Sequence, residues 1–218
     1  MLSNTVLSLA ALTALASAAP AAMEPVNVVY EAPSFGDAFG IGASGGAVSA
    51  LHNQVSASQG RVYIGGKQDQ PTNCSSAQTV HDFATFAWYS DKQLYLYTNS
   101  NPVQQVWSDA GYDGLVGYST DKESKPPGES LAKFEIDATS RLVTFNGVGP
   151  KACPGGETAD QYGIWFSDSD RPGNLDGCFA VELKAYKTPA RDSCTYSHLP
   201  SCEEALEGCG SMKDPIGM

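Results

Sequence analysis

Through the middle of the chain, apolar and polar residues alternate in short runs. Phe86 and Trp88, Leu94 and Leu96, Phe134 and Ile136, Ile164 and Phe166, and Phe179, Val181 and Leu183 all follow this pattern. A period of two is the signature of strands with one buried face. Clusters of Gly, Pro, Asn, Asp and Ser separate the runs at intervals typical of a sandwich or a barrel. Helical spacing is nearly absent. Only Ser201–Glu207 reads as a helix, with Ser201 and Glu204 in capping-box spacing.

Comparing the chain with itself reveals a repeat. Phe86-Ala-Trp88 runs through a polar turn into Leu94-Tyr-Leu96-Tyr97, and forty-eight residues later Phe134-Glu-Ile136 runs through a turn into Leu142-Val-Thr144-Phe145. Each stretch places Leu eight residues after Phe. Val116-Gly-Tyr118 and Ile164-Trp-Phe166 extend the match, both falling 30 to 32 residues after their Phe. Phe39-Gly-Ile41 stands forty-seven residues before Phe86, followed by Ser44-Gly45-Gly46, although Val55 and Val62–Ile64 fall out of step with the other two tails. Phe39, Phe86 and Phe134 are therefore expected to head three units of about four strands each. Three such units predict a closed, pseudo-threefold β-trefoil, which would also remove open sheet edges. A β-sandwich is the alternative.

The ends of the chain read differently. Residues 1–18 carry no charged side chain, Val6–Ala16 is an apolar run, and Ala16-Ser17-Ala18 supplies small residues at the −3 and −1 positions. This is the pattern of a secretory signal peptide cleaved after Ala18. The run is too short to span a bilayer and is followed by Pro20. No later segment predicts a membrane span, and the end lacks the apolar tail of a lipid-anchor signal.

Secretion changes how the cysteines read. Cys74, Cys153, Cys178, Cys194, Cys202 and Cys209 are an even set in an oxidising compartment. Six cysteines allow fifteen pairings. Cys202 and Cys209 enclose only six residues in a tail of their own, which favours a local bridge. Cys153 with Cys178 and Cys74 with Cys194 would then staple the main domain. Zinc ligation has little to support it, because there is no C-x-x-C and His52, His81 and His198 are scattered. Asn73-Cys74-Ser75 is a glycosylation sequon.

Charge narrows the partners. Thirteen basic residues against 24 acidic ones give a net charge of −11, which excludes the basic face that nucleic acid requires. It also argues against electrostatic docking on an anionic membrane. Glu129, Glu135, Asp137 and Glu157 lie near one another in sequence, and a glycosidase needs two carboxylates about 5 to 10 Å apart. With so many acids such neighbours are unremarkable, and Asp137 begins a turn, where Asp is ordinary. No G-x-S-x-G supports a nucleophilic serine. Asp168, Asp170, Asn174 and Asp176 form an oxygen-rich loop whose spacing does not match an EF-hand. No catalytic residue, metal site or cofactor is predicted. If Leu94 and Leu96 face the core, Tyr95 and Tyr97 face outward, where they could stack on sugar rings.

An ordered series of motifs resembles a known family. It comprises Ala84-Thr-Phe86 with Leu94-Tyr-Leu-Tyr97, Val103-Gln-Gln-Val-Trp-Ser-Asp109, Gly117-Tyr118-Ser-Thr120, Phe134-Glu-Ile-Asp137 and Leu142-Val-Thr-Phe145. Ala152-Cys153-Pro154, Ile164-Trp165, Pro172-Gly-Asn174, Asp176-Gly-Cys178 and Asp192-Ser-Cys194-Thr-Tyr196 continue it. Together, over roughly residues 35–196, these resemble the fungal cell wall protein PhiA family. The resemblance implies a small, secreted, non-enzymatic wall protein linked to phialide and conidium development, in a family that includes IgE-binding allergens. The turn Ala110–Gly114 and the tail after Tyr196 depart from the family pattern.

The expected organisation is a signal peptide (1–18), a lead-in (19–34), one all-β domain (35–196) and a cysteine-containing tail (197–218). The expected partners are wall polysaccharides or wall proteins.

Overall fold

The computed structural model describes residues 31–48, 53–66, 68, 73–74, 83–98, 103–109, 113–120, 133–155, 161–188 and 194–197. The signal segment, Cys202, Cys209, the expected tail helix and all three histidines lie outside these residues.

Every alternating run becomes a strand. In chain order the strands are β1 (Ala38–Ser44), β2 (Val55–Ser58), β3 (Arg61–Ile64), β4 (Asn73–Cys74), β5 (Phe86–Trp88), β6 (Leu94–Leu96), β7 (Gln105–Asp109) and β8 (Leu115–Ser119). They continue as β9 (Phe134–Ile136), β10 (Val143–Phe145), β11 (Pro150–Pro154), β12 (Tyr162–Phe166), β13 (Phe179–Ala180), β14 (Glu182–Lys187) and β15 (Cys194–Thr195). A single 3-10 turn, Pro172–Asn174, is the only helical element among the described residues.

The fold is all-β and built on one large antiparallel sheet. Eleven strands join it, in the path β13-β11-β12-β3-β8-β7-β6-β5-β1-β14 with β2 paired to β3. The sandwich alternative accommodates this sheet. The two ends of the path, β13 and β14, are consecutive in the chain, separated only by Val181. Two-stranded pairs β9–β10 and β4–β15 complete the ladders.

One interior receives the alternating side chains of nearly every strand. Phe39 and Ile41 of β1, Phe86 of β5, Leu94 and Leu96 of β6, Val106 of β7, Phe134 of β9, Ile164 of β12 and Leu183 of β14 are all buried in a single cluster. The void left in this cluster is only about 20 Å³, room for no more than about one water molecule. Packing is therefore tight, and each buried aliphatic or aromatic side chain contributes roughly 1.5–3 kcal/mol.

The outward positions of the strands explain two glycines. Val116 and Tyr118 of β8 point inward, so Gly117 points out, and Trp107 of the paired strand β7 lies across it. A Cβ at Gly117 would sit 2.4 Å from the Trp107 ring. Gly114 enters β8 with φ of +92°, and a Cβ there would fall 2.0 Å from the Phe166 carbonyl oxygen.

The repeat expected from the sequence needs two corrections. Phe39 and Phe86 are not equivalent heads of successive units, because they are direct partners on the adjacent strands β1 and β5. Phe86 and Phe134 do each open a hairpin, β5–β6 and β9–β10. The shared Leu spacing, however, is not the shared register. Trp88 pairs with Leu94 in the first hairpin, whereas Ile136 pairs with Val143 in the second, whose turn is one residue longer. Asp137 holds that longer turn, accepting hydrogen bonds from the Thr139 and Ser140 N–H groups and the Ser140 hydroxyl.

Short strands leave backbone groups that buried glutamines satisfy. The Gln104 side chain accepts from the Tyr196 N–H (2.7 Å) and donates to the Tyr196 carbonyl (2.8 Å), so one carboxamide replaces a neighbouring strand. Gln68 makes the same two-way pairing with the N–H and carbonyl of Ala57. Tyr196 is itself anchored, its hydroxyl accepting from the Thr85 N–H at 2.8 Å.

Two measurements probe this arrangement. Gln104→Ala leaves the N–H and carbonyl of Tyr196 buried without partners and should lower stability by about 2–4 kcal/mol in urea unfolding. Burial pushes the Tyr196 phenol up to about 12, above the ordinary value near 10. The unfolded chain therefore ionises first. The Tyr196 contribution to stability should be intact below about pH 10 and fall by about 1 kcal/mol per pH unit from there towards pH 12. Phenolate absorbance followed together with circular dichroism should show this tyrosine titrating with unfolding.

Candidate functional site

The hairpin β5–β6 builds the most distinctive surface. Leu94 and Leu96 are buried, which turns Tyr95 and Tyr97 to the outer face. Trp88 pairs with Leu94 and packs on the core side, with its indole N–H donating to the Phe134 carbonyl at 3.0 Å. The turn between them is held by the Lys92 N–H on the Tyr89 carbonyl (2.9 Å) and the Tyr89 N–H on the Gln93 carbonyl (3.1 Å). Lys92 adopts φ of +63° within it.

This turn brings Tyr89 against Tyr95, edge to face, with ring centroids 5.5 Å apart. Tyr89 is 45% exposed, one of three large apolar or aromatic side chains so exposed among the described residues, with Phe35 and Val103. Behind the rings lies a fixed carboxamide. Gln93 Oε1 accepts both from the Tyr95 hydroxyl and from Gln105 Nε2, each at 2.6 Å, and Gln105 is only 1% exposed. Partial burial, reinforced by the Asp91 carboxylate and by Tyr89, raises the Tyr95 phenol above its ordinary value. Its proton therefore stays in place as the donor to Gln93.

The sequence reading named Tyr95 but paired it with Tyr97. Tyr97 is half-buried, and its main chain serves the fold, the N–H donating to the Thr85 carbonyl and the carbonyl accepting from the Cys194 N–H. Tyr89, Gln93 and Gln105 were missed. The available signal was cross-strand geometry: with Trp88 opposite Leu94, Tyr89 and Tyr95 become diagonal neighbours on one face. Reading it requires the turn length, which composition alone does not supply.

The other singled-out residues have structural surroundings. Glu135 pairs with Lys92 across two half-exposed side chains. Asp137 caps its turn, and hydrogen bonds from Ser140 and Thr139 hold its carboxyl below the usual range. Glu129 and Glu157 lie outside the described residues. In the oxygen-rich loop, Asp170 approaches Lys151 (3.8 Å) and Asp176 pairs with Arg171 (2.9 Å). The Asn174 carbonyl accepts from Arg171, and Asp168 is exposed. Asp113, from the turn before β8, accepts from the Ser167 hydroxyl and the Gly173 N–H. Among the described residues, no three His, Cys, Asp or Glu side chains are grouped to hold a metal ion.

Two disulfides fasten the scaffold. Cys74 of β4 and Cys194 of β15 are directly opposed and bonded, closing a separation of 120 residues. Cys153 of β11 is bonded to Cys178 over 25 residues, beside a smaller cluster of Leu115 and Trp165. The backbone of Asn73, the sequon residue, pairs with Thr195.

No match was found among curated proteins or among solved structures. A family model described as PhiA-like secreted protein matches residues 39–197. That span runs from β1 to the Cys194–Ser197 segment and takes in both disulfides and the β5–β6 hairpin. The chain therefore belongs to the PhiA-like secreted protein family.

Proposed function

We propose that this protein is a non-catalytic component of the fungal cell wall, contributing to wall organisation as phialides and conidia develop. The family match over residues 39–197 is the observation that carries the reading. The acidic surface chemistry is consistent with it, because the described carboxylates that sequence reading singled out sit in turns and ion pairs. Glu135 faces Lys92, Asp176 faces Arg171, and Asp137 holds its own turn. Retention in the wall would rest on contacts with polysaccharide or with other wall proteins.

A three-unit, trefoil-like architecture is part of the same proposal. Its support lies in a cyclic succession of backbone contacts. β1 pairs with β5, β5 pairs with β6, and the N–H groups of Lys133 and Phe134 both donate to the Lys92 carbonyl just before β6. β9 pairs with β10, Leu142 bridges to Lys184 of β14, and β14 returns to β1. The remaining hairpins, β2–β3, β7–β8 and β11–β12, meet one another through Arg61 with Gly117, Leu115 with Trp165, and Tyr63 with Gly163.

Wall fractionation with antibody detection tests the functional reading. The protein should appear in the culture medium and the wall fraction, and confinement to the cytoplasm would overturn the proposal. The architectural reading predicts backbone nuclear Overhauser contacts between Leu142 and Lys184 and between Lys92 and Phe134. Losing these while the hairpins remain would leave a sandwich.

A further inference from the structure

The outer face of the β5–β6 hairpin combines three features: an exposed aromatic ring, an oriented amide and an acceptor carboxylate. We propose that Tyr89, Tyr95 and Gln93 form a contact site for a neutral, β-linked hexopyranose chain. This inference rests on the wall reading and names the chemistry by which the protein would be held there.

The rings come first. Tyr89 meets Tyr95 with the ring planes 79° apart, so that neighbour can take at most one of its two faces, and Tyr89 is 45% exposed. A β-linked glucopyranose carries its substituents equatorially and so presents a flat face of C–H bonds. Such a face stacks on an aromatic ring as other apolar groups do, and the partly positive hydrogens favour the negative ring face. An α-linked chain bends at each linkage and presents this face less continuously to an open, shallow surface.

The polar groups then select for hydroxyls. Gln93 Oε1 is occupied twice, by the Tyr95 hydroxyl and by Gln105 Nε2. This fixes the amide with its Nε2 donors directed away from both partners. Neither those donors nor the Tyr89 hydroxyl bonds to another described residue. The Asp91 carboxylate, held by the Gln93 N–H at 3.1 Å, offers acceptors at the same turn. Donors and acceptors beside an aromatic face match a polyhydroxylated ring. Because Gln105 is buried and the turn is closed by its own hydrogen bonds, the groups are already ordered before any ligand arrives. Little ordering cost would then be subtracted from the binding free energy.

Charge decides against other ligand classes. The cation beside the site, Lys92, is paired with Glu135, and Asp91 adds a negative charge. A sulfated, phosphorylated or uronic polymer would be repelled. The site is also absent from the matching hairpin β9–β10: Glu135 and Thr144 are paired there, where β5–β6 pairs Ala87 with Tyr95. Of these two hairpins, only β5–β6 carries the site.

The test uses the full secreted chain titrated with short β-linked gluco-oligosaccharides, their N-acetylated amino analogues and α-linked gluco-oligosaccharides. Nuclear magnetic resonance shifts and calorimetry supply the readout. Saturable binding of a β-linked probe is expected, with the α-linked probe at least about tenfold weaker. Tyr89→Ala should weaken the β-linked probe about tenfold, equivalent to about 1.4 kcal/mol. Gln93→Ala should also weaken it, whereas Tyr89→Phe should retain most of the affinity. Tyr89 is exposed, so unchanged thermal unfolding of Tyr89→Ala separates lost contact from lost fold. Failure of both β-linked probes to bind, preference for the α-linked probe, or affinity unmoved by Tyr89→Ala would each overturn the site. The wall reading is judged separately by fractionating the same variants. A wall-bound protein that binds no oligosaccharide defeats the site alone, and one that binds sugar but is absent from the wall defeats the wall reading alone. If Tyr89→Ala releases the protein from the wall while no oligosaccharide binds, the face contacts a wall protein and the glycan site is rejected.

Discussion

Many strands of three to seven residues must share one interior, and the rest of the structure follows from that constraint. A strand such as Phe86–Trp88 or Val143–Phe145 contributes only one or two side chains to the core and cannot stand alone. Stability therefore comes from convergence, with Phe39, Phe86, Phe134, Ile164 and Leu183 meeting from distant parts of the chain. The cost of such short ladders is a supply of backbone groups with no adjoining strand. Gln104 and Gln68 resolve it by presenting a side-chain amide where a peptide would otherwise be required. Cys74–Cys194 acts on the same region, joining the last described strand to a strand that lies 120 residues earlier.

The same economy shapes the surface. Residues on the outer face of a strand are released from the core and can either protect the sheet or meet a partner. Trp107 takes the first role, lying over Gly117 and donating to the Ser119 hydroxyl. Tyr186 does likewise, standing over Gly42 with Arg141 against its ring. Tyr89 and Tyr95 differ, because their rings meet each other and a fixed glutamine rather than covering a glycine. That difference, more than the presence of tyrosine, is what the proposed contact site rests on. In a protein with a net charge of −11, the neutral glutamine amides and phenol of this face are flanked by the Asp91 carboxylate.

How far each element could be read in advance depended on whether its signal was local. Period-two alternation located β5, β6, β9, β12 and the β13–β14 region because burial of one strand face is written into adjacent residues. The equivalence of Phe86 and Phe134 was also legible, since both open hairpins. Register was not. A single extra residue in the turn held by Asp137 moved the true partner of Ile136 from Leu142 to Val143. Phe39 looked like a third repeat head but is the cross-strand partner of Phe86, a relation that sequence distance cannot distinguish from periodic recurrence. The proposed contact face was half legible for the same reason: Tyr95 follows from alternation, whereas Tyr89, Gln93 and Gln105 join it only once the turn and the β6–β7 pairing are set.

The sequence by itself determined the class of protein: all-β from its alternation, and a member of a secreted family through an ordered set of motifs. These are properties of composition and neighbouring residues, so they survive without knowledge of long-range contacts. Tertiary structure decided which strands are neighbours, which buried glutamines stand in for missing strands, and which tyrosines share a surface. Each of those depends on groups tens of residues apart meeting at hydrogen-bond distance, as Gln104 meets Tyr196. Only packing around a common interior can specify that meeting.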